Sequence, residues 1–415
     1  MKITRVRLRE LTGSFEFEGP FWEERLIRPI DVYPEFKADG PGSWLPHQLP
    51  DGRYQIRTVF VQIETDEGVT GLGGPVPHHL AYIINQQLAP LLLGQDPTAT
   101  EKLWDIMYRD AVHGRKGPTM MAISAVDCAL WDLRGNWLQQ PVHRLLGGPV
   151  RTSVPTYASA LGFSLEPERV RTRTEAFVAE GYTATKWFPR HGPEDGPEGI
   201  RKNVELAKTL RETLGPDRDF MLDAWMSWDV PYTVRMAELV AEYRPRWIEE
   251  PVPPDMIAAC AEIRRRSRVP IATGEHEYTR WGIKLLLDAG ACEVVQADTY
   301  WAGGISEMVK ICSLASTYGI PVIAHGHSVP ANIQLSAALP IPQVPMVEYL
   351  VKWNRLLQHF WQNPVRPVNG MVTVPAGPGM GMTLDPAKIE AERDLQWGDD
   401  PVMSGSVEDA TITEG

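Results

Sequence analysis

Short apolar runs recur through the middle of the chain, and each ends at or just before an ionisable residue. Phe220-Met221-Leu222 leads to Asp223, Trp247-Ile248 to Glu249, and Val269-Pro270-Ile271-Ala272 to Thr273-Gly274-Glu275. The beat continues with Val294-Val295 before Asp298, residues 320–324 before His325, and Pro345-Met346-Val347 before Glu348. Two further runs, residues 154–158 and 183–187, bring the number to eight. Such runs read as buried strands. Between them the period changes: Ile200, Val204, Ala207, Leu210 and Leu214 share one face of a helix. Strand and helix alternating over short connections predict a parallel sheet with right-handed crossovers. Eight units over about 200 residues match a closed (β/α) barrel, whose active site is built at the C-terminal strand ends.

The first third reads differently. In residues 3–8, Val6 and Leu8 face one way and Arg5 and Arg7 the other, and Val59, Val61 and Ile63 alternate with Gln62 and Glu64. Both are half-exposed strands. A helical pattern follows, strongest over residues 120–137. The expected organisation is an α+β domain over residues 1–145, a barrel over 146–360, and a segment over 361–415 that returns to the first domain. The tail from about Asp399 is acidic, rich in Ser, Thr and Gly, and without periodicity. It is expected to be mobile.

Asp223, Glu249 and Glu275 are evenly spaced, 26 residues apart (249 − 223 and 275 − 249). One acid at a strand end is most often a helix cap or a solvated turn residue. Three at one interval on successive units instead predict three hard oxygen ligands on one rim, a divalent metal site of the Mg²⁺ kind.

Composition narrows the partners. A formal charge of −12 disfavours nucleic acid and anionic membrane. No run is long and apolar enough to span a bilayer, and the charged opening strand is unlike a signal peptide. Cys128, Cys260, Cys292 and Cys312 show no paired spacing and read as reduced core residues. The expectation is a cytoplasmic protein, self-associated as a homo-oligomer, acting on a small-molecule carboxylate.

Several stretches resemble the enolase superfamily and, within it, the mandelate racemase-like group. They are Ala122-Ile123-Ser124-Ala125-Val126-Asp127 with Ala129-Leu130-Trp131-Asp132, Leu145-Leu146-Gly147-Gly148, Glu249-Glu250-Pro251, Gly274-Glu275 and Gly377-Pro378-Gly379-Met380-Gly381. Residues 221–227, Gly274-Glu275-His276 and His325-Gly326-His327-Ser328-Val329 are similar to the L-rhamnonate and related sugar-acid dehydratases. The resemblance implies a modified TIM-type (β/α)7β barrel with an α+β capping domain, Mg²⁺ and a carboxylate substrate.

The chemistry points the same way. A hydrogen beside a carboxylate is weakly acidic, so its removal needs positive charge where the enediolate forms. His325 is the expected base, with Asp298 on the preceding strand holding its other ring nitrogen. Glu348 is placed to bond a substrate oxygen or the metal shell, or to make a plain buried contact. Many relatives carry Lys-x-Lys on the second strand, but this chain reads Lys186-Trp187-Phe188. Lys186 remains as an electrostatic partner or a structural ion pair, and the second lysine is absent. One base favours elimination over two-face racemisation. A racemase, epimerase or cycloisomerase is the second reading, and a non-catalytic homologue the third. His276 is a candidate for substrate hydroxyls or a helix cap, and Glu250 reads as structural. In the capping domain His47, Arg53 and Arg57 are candidates for a carboxylate or polyol.

Overall fold

The computed structural model describes residues 1–37 and 45–397. The tail expected to be mobile, from Asp399 on, lies outside the described residues. In the N-terminal domain, Ile3–Phe15 pairs antiparallel with Tyr54–Thr65, which pairs in turn with Thr70–Val76 and with the short strand His47–Gln48. The buried side chains Leu8, Val59, Val61 and Ile63 turn inward under the helix Pro118–Leu138, as the alternation requires. That helix lies close on Thr70–Val76: a Cβ at Gly73 would stand 2.3 Å from the Ala125 carbonyl oxygen.

Seven parallel strands build the barrel wall: Ser153–Ser159, Ala184–Trp187, Asp219–Asp223, Ile248–Glu249, Ile271–Thr273, Val294–Val295 and Val347–Leu350. The last pairs with the first. The remaining place is taken by the segment through Val322, which joins Val295 by a single bridge. The expected run of six strands ending on ionisable residues therefore needs correction. Glu275 and Asp298 lie beyond the ends of their strands, His325 follows a single bridge, and Glu348 is second in a strand of four.

What puts these groups together is the pleat. Each of the eight places sends one buried side chain to the barrel floor: Tyr157, Ala184, Met221, Trp247, Ala272, Val294, Ile323 and Met346. Side chains two residues apart share a face of a strand. One step above Ala184, Met221, Trp247, Ile323 and Met346 come Lys186, Asp223, Glu249, His325 and Glu348. A polar layer thus lies directly over an apolar plug, and Glu348 joins it from mid-strand.

The domains are joined by polar contacts from the helix Pro118–Leu138. The Asp127 carboxylate accepts from the Ser306 amide at 2.9 Å and hydroxyl at 2.6 Å, and the Trp131 indole donates to the same hydroxyl at 2.8 Å. The chain then returns, with Ala391–Asp394 pairing along Arg9–Thr12 of the first strand. All four cysteines are buried and unpaired. Among the described residues, no helix is long and apolar enough to cross a membrane.

Candidate active site

Asp223, Glu249 and Glu275 converge, each offering a carboxylate oxygen within 4.8 Å of the others, and all three are buried. Burial pushes each carboxyl's pKa above its ordinary value; the charge of Asp223 adds to the rise at Glu249, and that of Glu275 to the rise at Asp223. Against them stands Lys186. Its Nζ lies 2.9 Å from Asp223, 2.5 Å from Glu249 and 2.9 Å from Glu348. Burial alone would favour a neutral amine, but the three carboxylates reverse that and hold Lys186 charged. The Asp223 oxygen facing Lys186 makes an ionic contact without hydrogen-bond alignment. Hard oxygen donors, buried, mutually repelling and incompletely satisfied, suit a divalent cation of the Mg²⁺ kind. Glu250, Glu275 and His276 form a second set within the same reach, but Glu250 already accepts from the His276 amide and Nδ1. The first set is therefore the better metal site.

His325 Nδ1 is 2.8 Å from Asp298, whose other oxygen accepts from Ser328 Oγ at 2.5 Å and the Tyr300 amide at 2.7 Å. Both groups are buried. The bond fixes the imidazole so that Nε2 turns toward Glu275, 3.4 Å away. Burial opposes charge on this ring, but Glu275, Asp298 and Glu348 outweigh it and raise the pKa to about 10. Glu348 is further held by the Gly326 amide at 2.9 Å. A second imidazole has a similar support: His276 Nδ1 is 2.7 Å from Glu250, while Nε2 is 3.7 Å from Glu275. Its pKa rises to about 9 because Glu250 and Glu275 overcome burial.

These groups open into a cavity of about 470 Å³ lined by Asp223, Glu275, His276 and His325 among others. His47 and Arg57 do not line it. They line a separate hollow of about 420 Å³ that, among the described residues, shares only Leu357 with the first. Both follow the edge of the strand Tyr54–Thr65 and are exposed. Arg53 binds Asp51 and Glu390 at the surface. The capping domain instead supplies Leu26 and Arg28 to the cavity.

The barrel also supplies residues that sequence reasoning missed. Trp301 packs on both His325 and His276, with ring centroids 4.9 and 5.5 Å apart, and His327 stacks parallel to His325 at 6.5 Å. Trp225 follows Asp223 with a left-handed backbone, φ 42°, as does Glu250 with φ 39°. Such conformations in non-glycine residues are strained and mark a constrained site. A tryptophan two or three positions after a strand-end acid was the available signal.

The family comparisons agree with this geometry. Residues 40–147 match the mandelate racemase / muconate lactonizing enzyme N-terminal domain, and residues 169–388 match the enolase C-terminal domain-like family. The chain belongs to the enolase superfamily, in its mandelate racemase-like group. Within the superfamily it is 35% identical over 409 residues to an L-rhamnonate dehydratase of Saccharopolyspora erythraea, covering 95% of this chain and 99% of that one. A crystal structure of L-rhamnonate dehydratase from Gibberella zeae matches with a TM-score of 0.79 and 30% identity, over 93% of this chain and 94% of that one. Rhamnonate dehydratase from that organism has also been solved complexed with Mg, and matches at 29% identity and a TM-score of 0.75, over 93% and 95% of the two chains. The 3,6-anhydro-D-galactonate cycloisomerase from Zobellia galactanivorans matches with a TM-score of 0.74 and 27% identity, over 93% and 97% of the two chains.

Proposed function

We propose that this enzyme is a Mg²⁺-dependent dehydratase of a sugar acid, giving a 2-keto-3-deoxy acid. Asp223, Glu249 and Glu275 would hold the cation, which when bound supplies positive charge beside the substrate carboxylate. His325 takes the proton from the carbon next to the carboxylate. Asp298 keeps its ring turned for that step and stabilises the imidazolium that results. The bond from the next carbon to its hydroxyl then breaks, and His325 returns the proton to the departing oxygen, releasing water. The remaining enol tautomerises to the 2-keto-3-deoxy acid. Lys186, kept charged by its three carboxylates, adds fixed positive charge to the polar layer.

The observation that carries this reading is the asymmetry of the mouth. A His–Asp dyad faces Glu275 from one side, while Phe188 lines the cavity at the place where many relatives have a second lysine. Elimination needs one proton-transfer group, and two-face racemisation needs two. The dehydratase names among the similar proteins add support. The second imidazole, His276 on Glu250, favours a racemase, epimerase or cycloisomerase as the competing reading. Incubating the Mg²⁺-loaded enzyme with a library of aldonic and aldaric acids separates them. Keto-acid formation is expected, whereas solvent deuterium uptake at the α-carbon without loss of water would select the alternative.

A further inference from the structure

Residues 16–28 run from the end of the first strand at Phe15 to the turn at Pro29 without helix or strand, yet they bring Leu26 and Arg28 to the cavity. A stretch with no ladder of its own is placed by what it is tied to. Here the ties reach the ends of barrel strands. The Glu23 amide donates to the Gly162 carbonyl at 2.9 Å, and the Ile27 amide to the Pro189 carbonyl at 3.1 Å. Arg190 Nε lies 3.3 Å from Glu24. Trp22 rests on Gly162, whose φ is 81° and where a Cβ would stand 2.5 Å from the indole, so this approach requires glycine.

At the centre of these ties is a buried amine that the chemistry of the site does not use. Lys352 follows the last barrel strand, and its side chain is 1% exposed. An ammonium has three N–H donors and is costly to bury unless all are met. Nζ lies 2.8 Å from Glu23 Oε1, 2.8 Å from the Gly162 carbonyl and 3.5 Å from the Pro20 carbonyl, and it stands over the Phe163 ring at 4.1 Å. Two of its three acceptors belong to the capping segment and one to the barrel. Burial lowers the pKa of Lys352, and Glu23 opposes that shift. Glu23 in turn accepts from the Ser164 amide at 3.4 Å and lies 3.5 Å from Arg169.

We propose that Lys352 is a positioning residue, a clasp that holds the capping segment on the barrel and so fixes where Leu26 and Arg28 stand in the cavity. Neither Lys352 nor Glu23 is among the described residues that line the cavity, so the clasp acts through the segment and not on the substrate. Its chain neighbours make the link short. Trp353 follows Lys352, Leu161 precedes Gly162, and both line the cavity. Phe21 meets Trp353 edge-on, with centroids 5.6 Å apart. Undocking the segment would take two acceptors from the ammonium and both aromatic neighbours from Trp353's side of the mouth, so docking and site geometry change together.

The test compares Lys352→Met, which keeps the stem and removes the charge, with Glu23→Gln at the partly exposed end of the pair. Hydrogen exchange at the Glu23 and Ile27 amides should quicken roughly 10–100-fold in Lys352→Met, the range set by losing a charge-assisted hydrogen bond, and less in Glu23→Gln. The Tyr300 amide, bonded to Asp298, should exchange as before, and Mg²⁺ affinity by calorimetry should hold. In the double variant, Lys352→Met should add less than it adds to the wild-type chain, because the two side chains share one interaction. With the aldonic acid that the wild-type enzyme turns over fastest, KM should rise several-fold and kcat should change less. Unchanged exchange at Glu23 and Ile27 in both variants would overturn the proposal. So would fully additive effects, or faster exchange at Tyr300 with weakened Mg²⁺ binding, which would make Lys352 an ordinary core residue. A fall in kcat at constant KM would place Lys352 in the chemistry and overturn it too. Hydrogen exchange does not depend on the dehydratase reading: the expected exchange pattern without keto-acid from any acid tried would sink that reading and leave the clasp.

Discussion

Asp223 decides whether the acid trio is a metal site or only a buried charge network. In Asp223→Asn one charged ligand goes, while Lys186 keeps Glu249 and Glu348 within 2.9 Å. The fold should survive, and Mg²⁺ affinity should fall by more than the roughly 10–100-fold that losing an outer-shell partner costs. Unchanged affinity by calorimetry would refute the assignment. His325→Asn keeps a polar group but no titratable nitrogen, so metal binding should persist while α-proton exchange and dehydration both collapse. Asp298→Asn should cost less, because Ser328 and the Tyr300 amide still hold that side chain. Retained exchange in His325→Asn would move the base elsewhere, with Lys186 first to examine. Burial raises the three carboxyls, Asp223 to about 6, Glu275 to about 7 and Glu249 to about 8. A cation must displace those protons, so Mg²⁺ affinity should rise with pH between about 6 and 8, with proton release detectable in buffers of different ionisation enthalpy. These residues were legible because each follows an apolar run of strand length. His47 and Arg57 were chosen for their place in the capping domain, and position along the chain does not decide which side chains turn inward. Arg28 has no local pattern at all.

At the scale of elements, the most informative segment is the helix Pro118–Leu138. Its Ser-Ala-Val-Asp and Leu-Trp-Asp stretches carry family resemblance yet touch no part of the cavity. Ser124 accepts the Gly303 amide at 2.8 Å and Asp127 accepts the Ser306 amide, so this helix caps the start of the barrel helix Gly304–Ser316 from another domain. Asp132 holds the Leu72 and Met380 amides at 2.9 and 2.8 Å. The motif is an inter-domain clamp. Asp127→Ala should cost about 2 kcal/mol or more, since it removes a helix cap and leaves buried donors unpaired. Gly304 lies at φ 79°, and a Cβ there would stand 2.3 Å from the Asp127 carboxylate, so Gly304→Ala should destabilise through strain and collision together. Both are read by denaturant unfolding. Burial raises the Asp127 pKa to about 7, from 3.8 when exposed. Between those values the folded protein binds a proton that the unfolded chain does not, so acidification stabilises the fold at this group. Asp127→Asn lacks that term and should lose stability more steeply than the parent from pH 7 to 5. A parallel pH dependence would show that Asp127 is already charged at neutral pH. The helix itself was visible from its period, but its partners were not, because the contacts span about 180 residues of chain.

For the whole molecule, the barrel holds the acid trio and the His325–Asp298 dyad, and the capping domain lends Leu26 and Arg28 to the cavity lining. The alternation of strand and helix made the barrel legible, although the sixth strand has only two residues and the seventh place one bridge. Those short pairings are carried by packing over the barrel floor and not by long ladders, which apolar runs alone cannot distinguish. The closing strand Ala391–Asp394 tests how far the two domains act as one. It pairs with Arg9–Thr12, and its acids bind the first strand's arginines, Asp394 to Arg7 at 2.8 and 3.0 Å and Glu392 to Arg9 at 2.7 and 2.9 Å. Forked pairs of this kind are the stronger surface ion pairs. Truncation after Glu390 removes this edge and everything after it, but no residue of the acid trio or the dyad. Mg²⁺ binding should stay within about threefold of the full chain, because its ligands rest on the barrel floor and Lys186. The loosened capping domain should hold Leu26 and Arg28 less well, raising KM several-fold with kcat changed less. The stability lost on truncation should shrink as added salt screens those pairs in the full chain. If the truncated enzyme lost Mg²⁺ affinity and KM together, the metal site would depend on the cap, and the division of labour drawn from the geometry would fail.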